Sequence, residues 1–306
     1  MKNILVINYT QSGQLNDILN RFNSPFENSN QFEVEHVEVS PKEPFPFPWT
    51  GDVFWGAMPG CVLEEGLELN DFSFKREKYD LIVFGYQVWF LSVSLPSMAV
   101  LQHPKFKTII NKTPVVTVIG ARNMWLSAHE SVKQHITNAG GNFIANIPFI
   151  DRHNNLASVV TIFYWMLTGK KDRMWRIFPI PGVHPEDIEK ANQPGQLTLN
   201  AIENNGLQTL QKDIHDLGHI HLASSVMFME LRAKMVFNIW AKLVRRKGTT
   251  LDKERFWLNV FKYYLLIAIF VLSPIVLTIY FVLIYPFIVK SVSRKKAYFC
   301  GLIEEA

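Results

Sequence analysis

From Tyr263 to Val289 the chain carries no Asp, Glu, Lys, Arg or His. A bilayer crossing takes roughly 20 apolar residues, so this run is long enough to enter a membrane. The helix of a soluble core rarely needs so uninterrupted a stretch. Lys262 and Lys290 bound the run, and Arg245, Arg246, Lys247, Arg294, Lys295 and Lys296 lie just beyond it. Such clusters suit anionic lipid headgroups, which makes membrane lipid an expected partner. Because both flanks are basic, charge asymmetry gives no direction of insertion. Pro274 and Pro286 interrupt the run. Two arrangements satisfy these constraints: a single span, or a bent re-entrant anchor with both ends on one face. The second needs protein or water around its broken backbone.

The chain has 306 residues, 48% of them hydrophobic, so an anchor of this size leaves room for a folded domain upstream. A formal net charge of +4 is too mild for a nucleic-acid binder. The two cysteines, Cys61 and Cys300, are far apart and outside any metal or disulfide spacing. Near the N-terminus, the apolar run Ile4–Ile7 is too short for a signal-peptide core. The expected location is therefore the inner (cytoplasmic) membrane, with the N-terminal domain facing the cytoplasm.

That domain reads as α/β. Ile4 to Ile7 is apolar on both faces, as in a central parallel strand. A polar turn, Asn8 to Gln14, leads into Leu15, Ile18, Leu19 and Phe22 at helical spacing. Further strands are expected at Phe32–Val39, Leu81–Gly85, Val115–Gly120 and Phe143–Ile147. Strands alternating with helical patterns imply a doubly wound parallel sheet, and five of them fit the flavodoxin-like order 2-1-3-4-5. The expected divisions are 1–150 for this domain, 151–218 for a helical, Pro-rich extension, 219–262 for amphipathic helix, 263–289 for the anchor and 290–306 for a basic tail. Pro41 to Asp71, with Phe45, Phe47 and Trp49 among its prolines, reads as an ordered loop that covers something. Within it, Cys61 reads as a loop residue.

The loop after the first strand carries the clearest chemistry. Only Gly13 is present where a dinucleotide fingerprint would have three glycines. In their place stand Thr10, Gln11, Ser12 and Gln14, ahead of a helix N-terminus. Hydroxyls and free backbone N–H groups at such a point suit a terminal phosphomonoester, and FMN is the expected cofactor. The loop resembles the T-x-T-G-x-T phosphate loop of flavodoxins, with Leu15 where the third hydroxyl would be. The loop after the third strand offers Gln87, Trp89 and Phe90 beside the flavin ring. Ala121, Arg122 and Asn123, after the fourth, would flank its other side, with Arg122 near N1. Candidates for proton transfer are His153, Asp151 and His129. No HExxH, GxSxG or P-loop pattern occurs, and no metal ligands are expected.

Several segments together resemble the dialkylresorcinol-condensing enzymes found with flexirubin-type aryl-polyene pigment synthesis in Bacteroidetes. They are Asn8–Leu15, Pro44–Asp52, Gly85–Leu91, Gly120–Leu126, Arg152–Leu156 and Trp165–Lys171. The resemblance implies aromatisation of a dialkylcyclohexanedione to a dialkylresorcinol, a lipophilic substrate and a ketosynthase partner. Cys61 lacks an evident activating context for a condensing nucleophile. Two other functions stay open: a membrane-associated NAD(P)H- or quinone-linked flavin reductase, and a non-catalytic tethered partner of a ketosynthase.

Overall fold

A computed structural model describes residues 1–303. Five parallel strands form its centre: β1 (Lys2–Asn8), β2 (Phe32–Glu38), β3 (Leu81–Trp89), β5 (Pro114–Ala121) and β6 (Asn142–Ile150). A two-residue β4 (Ser92–Val93) folds back antiparallel on β3. The parallel order is β2-β1-β3-β5-β6, which is the expected 2-1-3-4-5 order once β4 is set aside. Ile4 pairs in register with Val34 on one side and Leu81 on the other, so β1 is buried on both edges and both faces. The fold is flavodoxin-like. Strand-end loops of β1, β3 and β5 meet at the carboxyl edge of the sheet, where open parallel sheets hold ligands.

Helix α1 (Gln14–Glu27) buries Leu15, Ile18, Leu19 and Phe22 against the sheet, the stripe expected from their spacing. Helix α2 (Gly51–Val62) occupies the Pro-Phe-rich segment and contains Cys61, which corrects the loop reading of that residue. The Thr50 side chain accepts from the Val53 N–H and caps α2. Between β4 and β5 lie α3 (Leu95–Gln102) and α4 (Pro104–Ile110), and α5 (Leu126–Asn138) joins β5 to β6. Burial of the Cys61 thiol pushes its pKa up to about 12, so it is protonated and inert.

The sheet domain does not end at residue 150. After α6 (Asn155–Thr168) come α7 (Pro185–Glu189), α8 (Asn192–Glu203) and α9 (Leu210–Asp216). Val183, Ile188, Leu199, Ile202, Leu210 and Ile214 belong to the same hydrophobic core as the strands. Helix α8 crosses α1 so closely that a Cβ on Gly195 would lie 2.0 Å from the Phe22 carbonyl oxygen. The segment expected as a separate extension is therefore a covering layer of the same domain. Apolar spacing could show that these helices are amphipathic but not which surface they cover.

The region expected as one amphipathic stretch breaks at Gly248–Thr250 into α10 (Ser224–Lys247) and α11 (Leu251–Ile267). From Leu251 to Phe299 the chain is one 49-residue helix, long and apolar enough to cross a membrane. Two π-helical turns, Ala268–Leu272 and Tyr280–Ile284, divide it into α11, α12 (Ser273–Ile279) and α13 (Tyr285–Phe299). Each π turn precedes a proline, Pro274 or Pro286, whose missing N–H breaks the regular ladder.

This helix is bent. Leu258 packs with Met58 and Phe237, and Phe299 packs into the sheet domain's core. Along a straight helix these two residues would be about 60 Å apart. A globule of ~220 residues is only about 45 Å across. The expected basic tail is thus the end of α13, docked by Tyr298, whose hydroxyl donates to Glu130 at 2.8 Å. Residues 304–306, the end of that expected tail, lie outside the described residues.

Candidate functional site

Gly13 caps α1 at φ +82°, a left-handed backbone that favours glycine. No side chain caps the first turn, so its N–H groups face the loop uncapped. The Thr10 Oγ1 atom is buried and finds no hydrogen-bond partner among the described residues. A Cβ at Gly13 would meet nothing within 4 Å, so the protein leaves open space beside the loop. Orphaned hydroxyl, uncapped helix start and vacant space together fit a phosphate group. Ser12 lines the adjacent cavity.

The two glutamines of this loop have other duties. Gln14 exchanges two hydrogen bonds with Val183: its Nε2 donates to the carbonyl at 3.0 Å, and its Oε1 accepts from the N–H at 3.0 Å. Its side chain therefore pins the 183 loop and is not a phosphate ligand. The Gln11 amide donates to Pro46 O at 2.9 Å and accepts from the Tyr9 hydroxyl, which ties the phosphate loop to the Pro-Phe segment. Its backbone N–H donates to Gln87 Oε1 at 3.0 Å. Gln87, expected on the loop after the third strand, lies instead within β3, which it ties to the loop after β1.

A cavity of about 470 Å³ begins at Gln11, Ser12 and Leu15 and passes Gln87, Trp89, Phe90, Ala121 and Arg122. Trp89 is clamped by edge-to-face contacts with Tyr9, Phe45 and Trp49, at ring-centre distances of 6.0, 5.1 and 5.0 Å. Such packing fixes its plane. Trp49 and Phe54 form part of the wall, so the Pro-Phe segment does cover a cavity. Arg122 donates to the Asn155 Oδ1 at 2.6 Å and to its carbonyl at 3.1 Å. Burial lowers its pKa to about 10, which leaves it cationic at neutral pH.

The proton-transfer candidates part company. His129 is a core residue, packed between Trp125 and Phe143, and burial pushes its pKa down to about 3. It is neutral and away from the cavity, which corrects its candidacy as a proton-transfer group. Asp151 and His153 are brought together: Asp151 Oδ1 lies 2.6 Å from His153 Nδ1, and Oδ2 accepts from Ser158 at 2.7 Å. This pair lines a neighbouring cavity with Asn123 and His221, not the one beside the phosphate loop. Asn123 is directed there as well, donating to Asn155 at 3.0 Å. Asn155 and Ser273 border both spaces. Among the described residues, no His, Asp or Glu lines the cavity beside the phosphate loop.

Sequence reasoning missed the other half of this cavity. Val159, Phe163 and Met166 of α6 line it, as do Met229, Arg232 and Val236 of α10, and Leu265, Ile269 and Leu272 of the long helix. The sequence feature that points to it is Arg232, a cation within an otherwise apolar helical face. Its guanidinium lies over the Phe228 ring at 3.6 Å, and that ring stacks on Tyr280 at 3.7 Å.

The class of architecture is therefore a flavodoxin-like sheet with a strand-end cavity, extended by helices. No protein-family model matches the chain, and no curated protein matches it by sequence. Solved structures resemble it distantly. A flavoprotein from Lactobacillus acidophilus, solved in complex with FMN, is 19% identical, covering 48% of this chain and 93% of its own, with a TM-score of 0.38. An archaeal flavodoxin is 9% identical, covering 66% and 99%, with a TM-score of 0.37. A Fusobacterium nucleatum flavodoxin bound to FMN is 10% identical, covering 47% and 70%, with a TM-score of 0.29. The fold assignment rests on the strand order and register described above.

Proposed function

We propose that this chain binds FMN and oxidises a long-chain 1,3-dione of the cyclohexanedione class to the corresponding resorcinol. One observation carries the reading: a single cavity has a phosphate-type loop at one end and apolar helices at the other. Thr10, Ser12 and the start of α1 would hold the phosphate, and the strand ends bearing Trp89 and Ala121 would flank the ring. Bound there, FMN supplies a two-electron acceptor for the hydride leaving a ring carbon, while the companion proton leaves for solvent or a protein base.

The protein's own part is mostly electrostatic and steric. A 1,3-dione is a vinylogous acid and ionises readily. Arg122 and Arg232, the two cations lining the cavity, suit its enolate. The proton lost with the hydride leaves the ring carbon next to a carbonyl, and the same two cations acidify it by stabilising the negative charge that develops on that oxygen. His153, held by Asp151, sits beyond Asn155 and suits relay of a proton to water rather than its direct abstraction. Phe54, Phe90 and Met166 exclude water and receive the alkyl substituents.

The test is the absorption spectrum of the gently purified full chain, followed by anaerobic addition of a 2,5-dialkylcyclohexane-1,3-dione. The expected result is a flavin spectrum that bleaches in step with resorcinol formation. Bleaching by NADPH but not by the dione would make the chain a reductase. A colourless protein that FMN does not titrate would end the flavin reading and leave the tethered-partner role.

A further inference from the structure

We infer that the cavity is reached from within the bilayer, through a gap between α10 and the bent helix, by a lipid-soluble molecule whose alkyl chain stays in that gap. The inference rests on reading the cavity as a substrate site and goes on to say which side the substrate comes from. Leu272 and Val276 line the cavity, yet they are 45% and 39% exposed, so they form part of its rim. Opposite them on α10 stand Ala233 and Val236. The rim on the long helix belongs to the run from Tyr263 to Val289, which has no charged side chain. Phe270, Val271 and Ile275 continue the same exposed apolar surface outside the gap. An opening so bordered is costly to keep in water and stable in lipid.

The course of the helix supports this. A straight span would carry α13 to the far side of the membrane. Instead Tyr298 is bonded to Glu130 of α5, and Phe299 and Cys300 lie in the sheet domain's core. At the other end Arg255 pairs with Asp52, and Arg245 with Glu65 and Glu254. Both ends of the apolar run are therefore held on one side, and its middle dips into one leaflet. The first π turn lies along the rim at Ala268–Leu272, where the widened backbone and the small Ala268 and Ala233 side chains leave room for a chain to pass. The broken backbone there lies against α10 and the cavity, the condition a re-entrant segment requires.

The probe is a 1,3-dione whose alkyl chain ends in a diazirine, dissolved in phospholipid vesicles that carry the full chain. Flavin absorbance is read on the same sample. Photolabel is expected on the peptides containing Val236, Leu272 and Val276. Ala233→Trp or Ala268→Trp should lower that labelling at least tenfold while flavin absorbance is kept. Because tryptophan there could disturb folding, Leu272→Cys modified after folding with a bulky maleimide is the second variant. Both native cysteines are buried, so the reagent is directed to the new one. Label confined to the loop around Gly182, or unchanged by all three blocks, overturns the portal. Flavin without helix labelling removes the portal and leaves the cofactor reading. Helix labelling without flavin does the reverse.

Discussion

The sheet and the long helix are both built from Ile, Val, Leu and Phe, but they meet their surroundings in opposite ways. Along β1 and β3, Ile4, Leu5, Val6 and Ile7 and Leu81 to Phe84 are fully buried. In the long helix Val282 is 65% and Phe287 86% exposed. Strands leave backbone donors and acceptors for neighbours to satisfy, so they gather into a sheet and cover one another. A helix satisfies its own backbone and can display its side chains outward. The strands' hydrophobicity is therefore answered by protein, and the exposed apolar side chains of the helix suit lipid.

The strongest way to break this contrast is to place charge on each side of it. Val282→Asp with Phe287→Asp should release the chain from vesicles, because each Asp at depth costs about 2.5–3.5 kcal/mol. The same pair should leave the melting of the detergent-free domain nearly unchanged. Phe84→Ala, between Tyr86 and Phe106 in the core, should do the opposite: a loss of about 3–5 kcal/mol in stability, with membrane association kept wherever the chain folds. Flotation and thermal melting measured on both variants decide it. If the paired Asp variant floats with vesicles like the parent, the lipid side of the contrast is wrong.

A smaller effect sharpens the comparison at the cavity's polar end. Gly13→Val adds a side chain where the protein has empty space, so its bulk falls on the ligand. The left-handed backbone adds about 1–2 kcal/mol of strain. Flavin affinity should fall by at least tenfold, as read by fluorescence titration, while vesicle binding is unaffected. Equal flavin affinity in parent and variant would place the phosphate elsewhere.

The smallest effect concerns the join between the two regions. Glu230 of α10 is fully buried and accepts from the Ser127 N–H at 2.7 Å, tying α10 to the start of α5. Tyr86, Arg122 and Lys234 are the other titratable groups near it. Burial, against the pull of those backbone N–H groups, raises its pKa from 4.5 to about 7. The folded protein thus binds this proton more tightly than the unfolded chain does. Its contribution is fully present below about pH 4.5 and is lost as pH rises through about 7. Denaturation midpoints should fall across that window, and Glu230→Gln should flatten the fall. A slope unchanged in the variant would assign it to other groups.

Legibility followed the range of the interactions. The strand–turn–helix unit around Thr10 could be read because strand, polar turn and helix follow one another within a few residues, Ile4 to Phe22. Trp89 and Arg122 could be placed because strand-end loops in a parallel sheet must meet. His129 misled because its burial is decided by Phe143, on another strand. Gln14 misled because its partner, Val183, is 169 residues away. The helical wall of the cavity was hidden for the same reason: the spacing of Met229, Arg232 and Val236 shows a face but not what faces it.

By itself the sequence determined the alternation of strands and helices, the donor-rich turn at Thr10–Gln14 and the long uncharged run. Each follows from backbone geometry and from the cost of burying charge, which act over a few neighbouring residues. Only the tertiary structure decided that this run turns back to the domain, that it closes a cavity begun by the phosphate loop, and that Asp151 and His153 stand in a second space beside it. Those outcomes depend on which surfaces fit together, and side-chain packing between distant segments is set by shape and volume rather than by local pattern.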